Sequence, residues 1–432
     1  MARRFSIPTS KKFKIIAVTI ALTLICGILF LNLRNPQKEL KYSIEESEPV
    51  DSPHFSRVLG NLMGPSFVSG NQVLGLYNGD EIFPEMLKAI RSATKSITFE
   101  SYIYWSGKVG AEFAEALSDR ARHGVKVHVL IDWVGSQKID QAFVDGMRKS
   151  GVEVERYHAL RWYNISRMNY RTHRKILVVD GKIGFTGGVG IADEWGGKGE
   201  DPEHWRDTHY KIEGPVVRQM QSTFMDNWLK TRPEVHQSVE YFPELTDVGK
   251  SYAQMFKSSS REGGSSVRIM YLLAIAAARK TIHIESAYFV PDETTMDELI
   301  KARKRGVEVK LIVPGKHTDS LIVRYASREQ WGPLLEAGVE IYEYQPALFH
   351  CKVFIVDGLF VSIGSTNFDE RSFRLNDEAN LNVIDREFAN AELKVFEKDK
   401  ERSKLITYEH WLNRSFTSKV IEKLMINFRS QF

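Results

Sequence analysis

Two cysteines, Cys26 and Cys351, are all that the 432 residues contain, so neither a disulfide framework nor a Cys-type zinc site is expected. An excess of one sign of charge is lacking as well. The formal net charge is +4, too small alone to argue for a nucleic-acid-binding face but suited to a protein that works near anionic lipid. Long apolar runs are limited to one, Ile15 to Leu33, which carries no charged residue. What remains is ordinary globular material, 43% hydrophobic and 26% charged, ample for two fused domains with substantial cores.

The chain repeats itself. His173, Lys175 and Asp180 form a His-x-Lys-x-x-x-x-Asp pattern that returns as His350, Lys352 and Asp357, offset by 177 residues at all three positions. The register persists downstream, where Gly187-Gly188 aligns with Gly364-Ser365. Upstream, Met86 to Asp132 and Leu272 to Pro314 share one plan of helix, strand, helix, strand. Glu100-Ser101 matches Glu285-Ser286, and Gly124 and Gly306 suit left-handed C-caps on the intervening helices. A further short strand opens at Gly151 and at Gly338. Alternating strands and helices predict an α/β fold whose mainly parallel sheet is covered on both faces.

The apolar, partly β-branched segments Ile176 to Val179 and Val353 to Val356 read as strands. In a strand alternate residues share a face, so His173 and Lys175 project together, as do His350 and Lys352, while Asp180 and Asp357 fall on the other side. The aspartates complete the motif but are better placed for structure than for chemistry, because Asp180-Gly181 and Asp357-Gly358 also carry the signature of a tight hairpin turn. By the same alternation Cys351 faces away from the site. If the two halves pack about a pseudo-twofold axis, two imidazoles and two ammonium groups converge. The cations neutralise a phosphodiester, one imidazole attacks phosphorus and the other protonates the leaving oxygen, with no metal or other cofactor required.

These residues resemble the phospholipase D superfamily, and more closely its bacterial cardiolipin synthase branch. The resemblance runs from about Asn71 to the C-terminus. It rests on Thr172 to Gly181, Phe185 to Gly188, Phe349 to Gly358, Gly364 to Phe373, Leu375 to Asn380 and the terminal spacing of Trp411, Arg414, Lys419 and Glu422. It implies two tandem α/β/α halves forming a pseudo-dimer around one active site, and a phosphohistidine intermediate. It further implies a carboxylate behind each histidine to orient it, Asp207 in the first half and Glu378 in the second, with His173 as nucleophile and His350 as general acid. The family's Asn in the glycine-rich segment corresponds to Asn367, a phosphate-positioning candidate, whereas the first half has Gly190 in its place. That departure predicts lower activity than a complete site would have.

Nineteen residues from Ile15 to Leu33 span about 28 Å as a helix, close to the thickness of a bilayer's hydrocarbon core. One transmembrane helix is expected to precede the α/β halves, and no small-x-small site follows it to favour a cleaved signal peptide. Five cations precede the run (Arg3, Arg4, Lys11, Lys12, Lys14) and three follow it (Arg34, Lys38, Lys41), which places the N-terminus in the cytoplasm and the catalytic part outside. The resemblance implies two such helices and a cytoplasmic catalytic part, a second departure. The expected organisation is residues 1–34 as stub and anchor, 35–70 as linker, polar from Asn35 to about Ser56, 71–245 as first half and 246–432 as second. Leu160 to Arg171 mixes aromatic residues with arginines and fits either a headgroup-dipping segment or a structural loop.

The expected activity is a membrane-anchored phosphatidyltransferase acting on phospholipids, phosphatidylglycerol among them. A hydrolytic phospholipase D comes next, then a nucleic-acid phosphodiesterase, disfavoured by the anchor and the modest charge. A non-enzymatic scaffold is disfavoured because both His-Lys pairs are intact. No nucleic-acid partner is expected, and the sequence gives no oligomeric state.

Overall fold

The structure is a computed structural model that describes residues 11–33, 44, 47–159, 169–259 and 266–431. Its first half supplies strands β1 (Val68–Tyr77), β2 (Ser96–Ser101), β3 (Lys126–Asp132), β4 (Glu153–Tyr157), β5 (Arg171–Thr172), β6 (Ile176–Val179), β7 (Ile183–Gly187) and β8 (Thr208–Glu213). The second supplies β9 (Ser251–Ser258), β10 (Thr281–Ser286), β11 (Phe289–Val290), β12 (Glu308–Pro314), β13 (Glu340–Tyr344), β14 (Lys352–Val356), β15 (Phe360–Gly364), β16 (Phe368–Asp369), β17 (Asn376–Ile384) and β18 (Ser403–Ile406).

All but β11 and β16 join one sheet, ordered β18-β13-β12-β10-β14-β15-β17-β9-β1-β8-β7-β6-β2-β3-β4, with β5 attached to β17. Counted outward from the antiparallel β9-β1 seam, matching strands follow in the same order on both sides, β18 being the one addition. The duplicated sequence thus becomes a pseudo-twofold fold.

The sheet is mixed, not mainly parallel as the alternation of elements predicts. The helix-linked strands β2-β3-β4 and β10-β12-β13 are parallel. By contrast β2-β6-β7-β8 and β10-β14-β15-β17 are antiparallel, and within each set one pair, β6-β7 and β14-β15, is joined by a tight turn. Those two turns are the predicted ones: Asp180, Gly181, Asp357 and Gly358 all have φ between 51° and 64°, the left-handed pair that matches strand twist.

Each half has its own apolar core, and a third core at the seam draws on both, from Ile176 and Val178 to Val353 and Ile355. The expected linker is ordered at its C-terminal end. Pro53–Met63 forms a helix capped by Ser52, and its Phe55 and Leu59, spaced one turn apart, are buried in the second half's core. A segment that buries such side chains is packed, not a free tether. Residues 11–33 are helical. Among the described residues no helix is long and apolar enough to cross a membrane, and the expected span Ile15 to Leu33 runs past the side chains described. Residues 160–168 of the aromatic-arginine segment lie outside the described residues.

Candidate active site

Both histidines sit just before a central strand, where the chain is still extended but has left its own half. Residues 171 and 172, as β5, pair in parallel with Asn376 and Asp377 of the other half, and the His173 amide donates to the Asp377 carbonyl at 2.9 Å. The second half mirrors this. Phe349 bridges to Arg206, and the His350 amide donates to the Arg206 carbonyl at 2.7 Å. Each histidine is therefore fixed by the opposite half, one residue before that half's carboxylate.

The side chains follow the backbone. His173 Nδ1 lies 3.1 Å from both carboxylate oxygens of Glu378, and His350 Nδ1 lies 2.7 Å from Asp207 Oδ2. The orienting pairs are exchanged between the halves, whereas reading each half by itself sets Asp207 beside His173 and Glu378 beside His350. Strand alternation alone does not reveal a partner that arrives across the seam. With Nδ1–H donated to a carboxylate, the free nitrogen of each ring is Nε2.

The two carboxylates are held differently. Glu378 accepts from Ser365 Oγ at 2.5 Å and from Asn376 Nδ2 at 3.3 Å. Ser365 corresponds to Gly188, where an added Cβ would lie 2.1 Å from Asp207 Oδ1, so the carboxylate itself fills that space. Asp207 instead accepts from the indole of Trp195 at 2.8 Å and the Thr208 amide at 2.8 Å. Trp195 is buried, and its ring meets His350 edge to face at 5.3 Å. A Cβ on Gly190 would lie 2.9 Å from Ile103 Cβ and 3.1 Å from the Trp195 ring. The missing amide of the first half therefore leaves no gap, since an indole occupies the place.

Burial lowers His173 to about 4, with Glu378 opposing the shift and Lys175 adding to it. His350 is likewise lowered by burial and by Lys352. Both rings are neutral at neutral pH. Burial would raise the two acids, but the paired imidazoles and nearby ammonium groups hold Asp207 and Glu378 below the usual carboxylate range. Lys175 is lowered to about 7 by burial and by the like charge of Lys352, which is lowered chiefly by burial. Each ammonium bonds back to its own histidine's carbonyl, Lys175 at 2.8 Å and Lys352 at 2.6 Å. An anion between them would offset the burial that lowers both, and for Lys175 the like charge of Lys352 as well, and so raise their affinity for protons.

Asp180 and Asp357 point elsewhere. Asp180 accepts from the amides of Thr94, Lys95 and Ser96 at 2.7–3.0 Å, and Asp357 from those of Arg279, Lys280 and Thr281 at 2.7–2.9 Å. They tie the start of β2 and of β10 to the turn after the His-Lys segment. Cys351 is fully buried among Ile312, Tyr344, Phe349 and Phe396, away from the site as alternation predicts, and burial raises its thiol well above the usual range.

His173, Lys175, His350 and Asn367 line one cavity of about 390 Å³, together with Tyr102, Trp195, Trp205, Tyr288, Asp319 and Arg371. Asn367 Oδ1 is buried there with no hydrogen-bond partner among the described residues. The aromatic and charged lining residues carry no repeat signal, because Tyr102 aligns with Ala287 and Trp195 with no matched motif. Two other groups of close acidic, thiol or imidazole side chains occur among the described residues, His128-Glu153-His236 and Glu285-Cys351-Asp399. Neither lines this cavity, and a guanidinium lies against each, Arg232 at 3.1 Å from Glu153 and Arg206 at 2.6 Å from Asp399.

Residues 86–198 and 271–400 match the family model described as cardiolipin synthase, phospholipase D-like domain. The chain is 36% identical over 357 residues to the cardiolipin synthase of Geobacillus kaustophilus, covering 82% of this chain and 71% of that protein. It is 32% identical over 399 residues to cardiolipin synthase 1 of Bacillus anthracis, covering 90% and 78%. The fold resembles that of phosphatidylserine synthase from Haemophilus influenzae, with a TM-score of 0.64 at 15% identity over 87% of this chain and 97% of that one. With two family matches falling on the two halves that share this cavity, the chain belongs to the cardiolipin synthase branch of the phospholipase D superfamily.

Proposed function

We propose that this enzyme moves a phosphatidyl group from one phospholipid to the hydroxyl of another, with phosphatidylglycerol as both donor and acceptor and cardiolipin and glycerol as products. The observation that carries this reading is that two neutral histidines, each with Nδ1 tied to a buried carboxylate, open onto one cavity that Lys175 also lines, with the Lys352 ammonium 3.1–3.3 Å from the ring nitrogens of His350. His173 Nε2 attacks phosphorus while the bond from phosphorus to the glycerol oxygen breaks, and that oxygen takes a proton from His350. His350 takes up that proton from solvent as the substrate binds, because a phosphodiester anion raises the affinity of the nearby imidazole for it. His350 then accepts the proton of the second lipid's hydroxyl, whose oxygen attacks phosphorus and releases His173. Lys175, Lys352 and Asn367 hold the non-bridging oxygens as charge builds on them, and the imidazolium that forms at each step rests against its carboxylate.

The sequence departure at Gly190 does not argue for a weakened site, since Trp195 supplies a donor to Asp207 from the space that an asparagine would take. The helix Lys11–Leu33, with Lys11, Lys12 and Lys14 at its start, serves in this reading as a single membrane anchor with a cytoplasmic N-terminus, and lipid acceptors are favoured over water because the anchor raises their local concentration. Purified protein incubated with phosphatidylglycerol, with and without His173→Ala, tests the reaction by lipid mass. Cardiolipin from wild type alone is expected. Phosphatidic acid as the main product would mean hydrolysis, and no product would overturn the reading.

A further inference from the structure

Beside the cavity mouth the surface turns apolar. Among the described residues, half of the sixteen large apolar side chains exposed outside helix 11–33 lie in two adjoining places, Leu321-Ile322 and residues 412–428. Scattered surface leucines need no explanation, but a concentration of this kind does. Phe416, Val420 and Leu424 recur at intervals of four on the helix Phe416–Met425, so they form a stripe along one side, continued by Phe428; Phe416 is 81% exposed. The opposite side of that helix is the one that packs: Glu422 is buried against Arg328 and Arg414, and Met425 and Ile426 join Val290, Val323 and Ala326. The stripe is thus left over after the helix has docked.

Its neighbours supply charge and position. Lys419 and Lys423, exposed and one turn apart, border the stripe. The helix Leu321–Glu336, against which Phe416–Met425 packs, opens two residues after Asp319, which lines the cavity and accepts from Tyr288 Oη at 2.6 Å. Leu321 and Ile322, both exposed, therefore stand close to the cavity lining, at the start of the helix whose Val323 and Ala326 pack against Met425 and Ile426.

We propose that this C-terminal helix and the Leu321-Ile322 pair form an interfacial docking surface for an anionic lipid bilayer, which sets the cavity mouth against the membrane. An exposed helix with an apolar stripe bordered by lysines is what the headgroup region binds: Phe416, Leu424 and Phe428 enter the acyl boundary while the lysine stems lie along it and their ammonium groups reach the phosphates. This inference rests on the phosphatidyl-transfer reading for its purpose, since lipid must pass from the bilayer into the cavity. It does not rest on it for its test.

The full chain carrying Cys26→Ser and Val420→Cys, labelled with an environment-sensitive fluorophore, is reconstituted in vesicles containing phosphatidylglycerol and nitroxide-labelled acyl chains. Quenching at position 420, and none at a control label placed by Val239→Cys, is the expected result. A blue shift without nitroxide quenching would mean that a second copy or another protein segment covers the stripe, and would overturn the proposal, as would no change at all. Turnover gives a second reading. Phe416→Gln combined with Leu424→Gln should lower the rate on bilayer phosphatidylglycerol about tenfold, the scale of two lost apolar anchors, and leave the rate on monomeric short-chain phosphatidylglycerol unchanged. An equal fall on both substrates would reject a docking role. Quenching without any turnover by wild type would sink the proposed reaction and leave the docking surface standing; turnover without quenching would do the reverse.

Discussion

In the second half a carboxylate is held by a serine hydroxyl and an asparagine amide; in the first, the matching carboxylate is held by an indole and a backbone amide. The fold is duplicated strand for strand, yet the support behind the two histidines is not. Glu378 draws its donors from its own repeat, at Ser365 and Asn376. Asp207 fills the space over Gly188, and Trp195 fills the space by Gly190. The comparison teaches that symmetry belongs to the sheet and that the chemistry has been divided. His350 sits against two indoles, Trp195 at 5.3 Å and Trp205 at 5.5 Å, while His173 meets the ring of Tyr102 at 5.1 Å. Two sites with the same backbone and different walls are suited to the different tasks that the proposed reaction gives them, nucleophile and proton carrier.

The exchange of partners across the seam is the part of this comparison that is easiest to break. Glu378→Gln and Asp207→Asn should each lower turnover by about 10²- to 10⁴-fold, since an amide can fix the wrong tautomer and cannot stabilise imidazolium. The exchange itself shows in the proton spectrum: the downfield Nδ1–H signal of His173 should vanish in Glu378→Gln and survive in Asp207→Asn. The opposite assignment would return each carboxylate to its own half.

Asp180→Ala and Asp357→Ala sharpen the symmetric side of the comparison. Each removes an acceptor shared by three backbone amides, so each should cost about 3 kcal/mol of stability in a denaturant titration. Turnover per folded molecule should be nearly unchanged. A large loss of turnover without loss of stability would make the aspartates chemical after all.

Trp195→Phe keeps an aromatic ring and removes the donor. It should lower kcat about tenfold through Asp207 and leave KM in place, whereas Ser365→Ala should act through His173 alone. Unchanged kcat would show that the indole only packs. Gly190→Asn, which needs the Trp195 ring to move, should lower activity, not raise it.

The smallest effect is a pH dependence. Lys175, lowered to about 7, is cationic below that value and neutral above it, so tungstate binding to the cavity should weaken as pH rises through about 7, and Lys175→Arg should flatten the profile. For folding the sign is opposite. Between about 7 and the ordinary lysine value the unfolded chain binds the extra proton, so this group's contribution to stability rises with pH. His173, lowered to about 4, adds the same sign at lower pH, where stability is lost as pH falls from the ordinary histidine value toward 4.

Much of this was legible in the sequence because a repeat reports on itself. One offset identified both His-Lys pairs, and the Asp-Gly pairs announced their turns through the left-handed geometry that glycine tolerates. Helix-strand alternation predicts a mainly parallel sheet because it describes β2 to β4 and β10 to β13 but is silent about the antiparallel strands β6, β7, β8, β14, β15 and β17. The packed helix at the end of the expected linker was not legible, because Phe55 and Leu59 look like isolated apolar residues until a core exists to receive them. What the repeat concealed was anything that breaks it. Partners that cross the seam share no local register, and Trp195 replaces side chains that stand elsewhere in the motif, so only coordinates bring it to Asp207.

The most direct test is to quench the enzyme during turnover of phosphatidylglycerol and map the covalent lipid adduct by mass spectrometry, in wild type, His173→Ala and His350→Ala. A phosphatidyl group on His173 in wild type, absent from His173→Ala, is the predicted result. An adduct on His350, or lipid exchange that proceeds in His173→Ala, would contradict it.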